Sequence, residues 1–257
     1  IVGAANSVIE HNKTKLDKIV WTANVEGEKV IVHRSLTDGD EGRYVASTIW
    51  ENKMNHQLPN SDFAVLYRTN AQSRAIEDAL RKRDIPYRIY GGLSFYQRKE
   101  IKDVTAYLRL ILNPADEEAL KRIINYPARG IGQTTIDRLI VAANGFEKTI
   151  FEVLQHIDDV DININKGTKN KLKDFVTLIE SFQVMNQTAN AFDLTSHVTK
   201  STGLIREVNK DGTPEGQIRL ENVEELLNGI KDFVEGQIEL ADAGDSLSEF
   251  LEAVSYT

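Results

Sequence analysis

The apolar positions along this chain change rhythm once. In the first half, short apolar runs alternate with helical patterns. Lys29-Val30-Ile31-Val32-His33 is a β-branched run of strand type, and Asp62-Phe63-Ala64-Val65-Leu66-Tyr67 has the length and composition of a buried parallel strand. Pro86-Tyr87-Arg88-Ile89-Tyr90 predicts a third strand, closed by Gly91-Gly92. Between them lie helical periods from Asp38 to about Asn55 and from Ala71 to Arg83, the latter with Ile76, Ala79 and Leu80 facing inward. A long helix follows from Ser94 to about Leu112, with Ser94 and Gln97 spaced as a capping box. The order β-α-β-α-β-α predicts a parallel α/β sheet with right-handed crossovers.

Asn113-Pro114 ends that rhythm, and only helical periods follow, at about 116–125, 134–143, 147–156, 168–187, 191–202, 217–240 and 246–255. Asn209 to Gly216 reads as a loop from its turn residues. The expected architecture is therefore α/β plus all-α, with a domain boundary near residue 113. Leu220, Val223, Leu227, Ile230 and Val234 recur at helical spacing, most simply as a core-facing stripe.

Composition excludes several classes. With 41% hydrophobic and 27% charged residues, the chain has material for a core. It has no cysteine, so disulfides, zinc–thiolate sites and a cysteine nucleophile are excluded. Its five histidines have no metal-binding spacing, and no Ser/His/Asp set is evident. No apolar run approaches the ~18–20 residues that span a bilayer, and no signal peptide is expected. The expectation is no membrane partner, no metal site, no catalytic residue and a cytoplasmic location. The start at Ile1 without methionine reads as the middle of a helix, so the chain is expected to be a piece of a longer one. Net charge is −8, but its distribution matters more: 68–109 holds 10 basic and 5 acidic residues, whereas 217–257 holds 2 and 10.

Three segments could carry chemistry. Arg68-Thr69-Asn70-Ala71-Gln72-Ser73-Arg74 sits where the second strand gives way to a helix, a place where ligands collect in open α/β sheets. Arg68 and Arg74 suit phosphate, and Asn70 can hydrogen-bond sugar or base; equally, Thr69 or Asn70 only caps the helix. In Ser94 to Asp103, Arg98, Lys99 and Lys102 are interleaved with Phe95 and Tyr96, a combination that suits single-stranded nucleic acid. The alternative there is that the aromatics are core and Lys99/Asp103 is a surface pair. Arg129-Gly130-Ile131-Gly132-Gln133-Thr134-Thr135 is the most specific. Gly-Ile-Gly between two helices is the signature of a helix-hairpin-helix, whose bare amides hold a phosphate without reading sequence. Thr134 is placed to cap the second helix with Asp137 three residues on, and Arg129 to reinforce the site; a plain αα-corner is the competing reading. No G-x-x-x-x-G-K-[ST] phosphate loop occurs anywhere.

With these segments in view, the sequence resembles the UvrD/Rep/PcrA group of superfamily-one DNA helicases. The resemblance runs through Ile1-Val2, Ala5-Asn6 and Ile9-Glu10-His11-Asn12, Trp21-Thr22 and Asn24, Val65 to Arg74, Tyr87 to Gly92, Phe95 to Asp103, and Arg129 to Gly132. It is good over about the first 145 residues and reappears at Arg219-Leu220-Glu221-Asn222. The resemblance implies that 1–113 is part of a second RecA-like domain with an incomplete parallel sheet, and that 114–257 is a helical inserted domain with the helix-hairpin-helix-like corner. It implies a fragment of an ATP-dependent 3′–5′ DNA helicase, inactive alone. Single-strand contacts would come from Arg68 and Asn70, with Arg74, Arg98 and Lys102 nearby, and duplex-backbone contacts from Arg129, Gly130, Ile131, Gly132, Thr134 and Thr135. No cofactor is expected in this chain, with ATP and Mg2+ bound in the full-length protein. Expected partners are single-stranded and duplex DNA and the remaining helicase domains, with self-association through an uncovered sheet edge. A stand-alone DNA-binding module, or a protein scaffold using the acidic helices of 217–257, are the alternatives.

Overall fold

The computed structural model describes residues 1–12, 21–25, 27–90, 92–239, 244 and 246–255. Gly91, one of the paired glycines, lies outside the described residues. The chain divides into two compact units, Ile1–Leu36 and Thr37–Thr257.

The first unit contains α1 (Val2–Glu10), a helix with no buried residue. Its remaining described residues carry no helix, and Trp21, Val25, Ile31 and Val32 are exposed.

The second unit begins with α2 (Asp38–His56), whose N-cap Thr37 accepts from the Asp40 amide through Oγ1 at 3.1 Å, with Asp38, Asp40 and Glu41 in the first turn. It packs on α3 (Ser73–Arg81) over a small apolar cluster of Ala46, Ala79, Leu80 and Ile85, with Ile76 half-buried beside it as the sequence pattern predicts. The two helices meet at Gly42, where an added Cβ would stand 2.4 Å from the Ala75 carbonyl oxygen. Gly42→Ala is therefore expected to force the pair apart and lower stability by about 1–3 kcal/mol. Thermal unfolding checks this, and an unchanged midpoint would contradict the close packing.

The rest is helical: α4 (Lys99–Leu112), α5 (Glu117–Ile123), α6 (Gln133–Phe146), α7 (Ile150–Gln155), α8 (Lys166–Met185), α9 (Ala191–Ser201), α10 (Leu204–Val208), α11 (Pro214–Glu239) and α12 (Leu247–Ser255). One continuous core joins them, including Tyr107, Leu120, Leu139, Phe151, Phe175, Phe182, Leu194 and Phe250. Val223, Ile230 and Val234 of α11 are buried in it, so the apolar stripe of that helix faces the core. Among the described residues no helix is long and apolar enough to cross a membrane.

The α/β half of the expected fold is not found. Among the described residues there is no strand, so the RecA-like parallel sheet is overturned, and the helical part alone agrees with expectation. Residues 29–35, 63–67 and 85–89 carry neither helix nor ladder. The physical reason is that a strand is completed by its neighbour. Its amides and carbonyls need a partner strand, and its apolar side chains need a covering layer. No partner strand is found among the described residues, and cover is partial: Ile31, Val32 and Leu66 are 78%, 92% and 94% exposed, whereas Ile85 is buried and Phe63, Val65 and Tyr87 are half-buried. With no sheet, the sheet edge expected to drive self-association also drops out.

The boundary between the small cluster and the large core, both inside the second unit, is polar. Buried Glu77 accepts from the Ser94 hydroxyl at 2.5 Å, the Phe95 amide at 3.1 Å and the Tyr87 hydroxyl at 3.1 Å. The expected Ser94–Gln97 capping box is thus absent, because the Ser94 hydroxyl goes to Glu77 and α4 starts only at Lys99.

Candidate functional site

The glycine corner is built from both flanking helices. After α5 ends at Ile123, Asn125 turns back and its Oδ1 accepts from the amides of Arg129 at 2.9 Å and Ile131 at 3.0 Å. The Ile131 side chain is fully buried and anchors the loop in the core. Gly130 has φ +71°, a left-handed conformation that disfavours any other residue. Gly132 is the N-cap of α6, in extended conformation. Thr134 lies inside the helix instead of capping it, because the helix starts two residues earlier than the Thr134–Asp137 spacing suggested.

Gly132 has no side chain to offer the first turn. The α5, α7, α8 and α9 N-termini are each closed by a side chain, from Asp116, Thr149, Asn165 and Asn190. At α6 the amides of Thr135 and Ile136 return to the Gly132 carbonyl. Those of Gly130, Gly132, Gln133 and Thr134 have no acceptor among the described residues. Gly130, Gly132, Gln133 and Thr134 are exposed, with Thr135 half-buried. Open amides at the positive end of a helix dipole form a site suited to an anion.

Arg129 plays a different part from the one its sequence position suggests. Its guanidinium donates to the Ile123 carbonyl at 2.9 Å and to the Tyr107 hydroxyl at 2.6 Å, and it lies 5.3 Å from the Phe175 ring centroid. Tyr107 in turn donates to the Tyr126 carbonyl at 2.6 Å. These contacts hold the corner's backbone in shape. The cation next to the open amides is Lys171 of α8, which no sequence motif marks: a Cβ at Gly130 would come within 2.6 Å of its Nζ. Its only signal in the sequence is a lysine-rich run in an acidic half of the chain.

The predicted single-strand residues separate into two groups. Arg68 and Asn70 are exposed at a short 3-10 turn (Asn70–Gln72). Gln72 Oε1 accepts from the Arg68 and Thr69 amides at 2.9 and 3.1 Å, which holds the turn while leaving the Arg68 and Asn70 side chains outward. Lys102 is also exposed, in a groove with Tyr96, Thr105 and Arg122.

Arg74 and Arg98 are buried. Arg98 donates to Asn222 Oδ1 and to Ser73 Oγ, both at 2.8 Å, and Asn222 donates on to Glu100 at 2.6 Å. Burial holds the Arg98 guanidinium below its ordinary value. Arg74 is 5% exposed and meets four carboxylates: Asp38 and Glu225 at 2.7 Å, and Asp78 and Asp232 at 3.4 Å. Burial raises the carboxyls of Glu225, Asp78 and Asp232 against the pull of Arg74. Burial also opposes ionisation of Asp38, but the Arg74 charge and hydrogen bonds outweigh it and hold that carboxyl below its ordinary 3.8. Lys99 and Asp103 do not pair: Asp103 binds Arg122 at 2.7 Å, and Lys99 lies over the Tyr126 ring. Phe95 is core, with Tyr96 packed beside it.

A helix corner with open amides on an all-helical body, and exposed Arg68 and Asn70 elsewhere in the same unit, suit contact with a polynucleotide backbone. The UvrD-like helicase C-terminal domain matches residues 1–257, and the chain belongs to that family. Among named proteins it is similar to the ATP-dependent DNA helicase PcrA of Leuconostoc citreum, 36% identical over 252 residues that make up 98% of this chain and 34% of that one. PcrA of Bacillus subtilis (strain 168) is 38% identical over 235 residues, covering 91% of this chain and 31% of the relative. DNA helicase II of Haemophilus influenzae is 38% identical over 234 residues, covering 91% and 32%. The chain thus spans about a third of the length of the curated relatives it matches.

Proposed function

We propose that this chain is the DNA-contacting part of an ATP-dependent 3′–5′ DNA helicase, and that it holds DNA without hydrolysing ATP itself. The glycine corner grips one duplex phosphate through the amides of Gly130, Gly132, Gln133 and Thr134, with Thr135 at the edge. Ile131 and Arg129 fix the loop from beneath. Arg68 and Asn70 contact the single strand, with Lys102 as a further cation. Arg74 and Arg98 act inside the protein, holding α11 to the segments that carry Arg68 and Asn70. The observation that carries this reading is the uncapped start of α6, with its amides open to solvent. The relatives' names, ATP-dependent DNA helicase and DNA helicase II, support DNA as the partner.

The residues of this chain do not fit an ATP·Mg2+ site. The sequence has no phosphate loop, and no three or more acidic or histidine side chains among the described residues converge as a metal-ligand set. In this reading ATP and Mg2+ belong to the stretches of the relatives that this chain does not cover.

Two measurements test the proposal. The purified chain is expected to release no phosphate from ATP, with or without single-stranded DNA; turnover by material of confirmed mass would contradict this. The chain is also expected to bind duplex DNA more weakly as salt rises, with log K falling by about 0.9 per unit of log salt for each phosphate neutralised. Affinity that ignores salt would contradict backbone contact.

A further inference from the structure

We propose that the duplex-binding surface continues from the glycine corner onto the first turns of α8, where Lys171 and Lys166 neutralise further phosphates of the same duplex. This rests on the proposed function above and extends it to residues outside the hairpin.

The sequence around α8 departs from its surroundings. Residues 114–257 carry a net charge of −11, yet 162–173 (ININ-KGTKNKLK) holds four lysines and no acidic residue. The structure divides the four. Lys173 pairs with Asp158, and Lys169 Nζ donates to the Ile157 carbonyl at 3.1 Å, so both are engaged in holding the preceding loop. Lys166 and Lys171 are exposed and have no hydrogen-bond or ion-pair partner among the described residues. The Nζ of Lys171 comes so close to Gly130 that a Cβ there would stand 2.6 Å away.

No carboxylate or carbonyl partner among the described residues accounts for that position. An unpaired ammonium ordinarily extends into water, whereas this one lies against the backbone that presents the open amides. It adds a full charge to a site otherwise built from dipoles. The α8 start is closed by Asn165, whose Oδ1 accepts from the Thr168 amide at 2.8 Å, so the lysines, and not bare amides, are what this helix offers. Arg138 of α6 donates to the Asn163 carbonyl, tying the start of α8 to the corner helix. A lysine ammonium is a point charge with no preference for base edges, so the partner it fits is the phosphate backbone, read by charge and not by sequence.

The test uses the whole chain and a labelled blunt duplex DNA, followed by fluorescence anisotropy across a salt series. The double variant Lys166→Ala/Lys171→Ala is compared with Lys200→Ala, which removes an exposed charge from α9, and with Gly132→Asp. The double variant is expected to weaken binding at least about fivefold and to reduce the log–log salt slope by about 2, at ~0.9 per lost phosphate contact. Its thermal midpoint should match the parent, and Lys200→Ala should leave the slope unchanged. If the double variant keeps the parent slope while Gly132→Asp loses affinity, the corner reading stands and the α8 extension is overturned. If the parent chain binds no duplex at low salt, both fall.

Discussion

Replacing Arg74 by methionine is expected to cost about 3 kcal/mol of stability, the lower end of the ~3–5 kcal/mol typical when one partner of a buried ion pair is removed. The guanidinium is 5% exposed, while its four carboxylate partners keep between 16% and 47% of their side-chain surface. Those carboxylates can regain water, which limits the cost, but three of them already ionise with difficulty because of burial. Without Arg74 they repel one another across the junction of α2, α3 and α11. The arrangement has no room to adapt on the α11 side, because a Cβ at Gly229 would come within 2.4 Å of an Arg74 terminal nitrogen. In a unit of this size the loss corresponds to a thermal midpoint lower by roughly 10 °C. Adding Glu225→Gln to the Arg74 variant should recover part of it by removing one orphaned charge. Urea unfolding of the two single variants and the double measures the coupling. A loss below about 1 kcal/mol for Arg74→Met would mean that the charges are already hydrated and the junction is held by something else.

Much of the helical structure was legible because helices are local. The spacing at 38–55 predicted α2, observed at Asp38–His56, and the period at 168–187 predicted α8 at Lys166–Met185. Helix starts were less legible, because several hydroxyls and glycines compete for the N-cap. Thr134 looked like a cap, yet Gly132 takes that place, and the Ser94 hydroxyl is drawn away by Glu77. The strands failed for a different reason. Val30, Ile31, Val32 and Leu66 spell a strand by composition, but composition cannot supply the neighbour that completes a ladder. Where no partner strand is present, the same residues lie exposed.

The candidate site was legible wherever backbone conformation carried it. Gly130 needs its positive φ, and Gly-Ile-Gly between helices marked the corner with its buried Ile131. Side-chain direction was not legible. Arg68 and Arg74 read alike as phosphate ligands, yet one faces out while the other is buried under four carboxylates from α2, α3 and α11. Arg129 looked like the corner's cation and is instead its internal brace, and Lys171 reaches the corner from 41 positions further along the chain. Long-range partners decide these directions, and no local pattern encodes them.

The amides at the start of α6 can be closed without disturbing the fold. Gly132 has an extended conformation at φ −79° and nothing within 4 Å of an added Cβ, so an aspartate fits there as an N-cap. Its carboxylate would accept from the first-turn amides and place a negative charge where a phosphate is proposed to sit. Stability should hold or rise by a few tenths of a kcal/mol, since aspartate caps slightly better than glycine. Affinity for duplex DNA should fall at least about tenfold, or ~1.4 kcal/mol, from lost amide donors and added repulsion. The most direct measurement is the duplex dissociation constant of Gly132→Asp beside the parent chain at one low salt concentration, with thermal midpoints recorded on the same samples. The account predicts a markedly weaker complex from an equally stable protein; equal affinity at equal stability would show that the corner amides do not hold DNA.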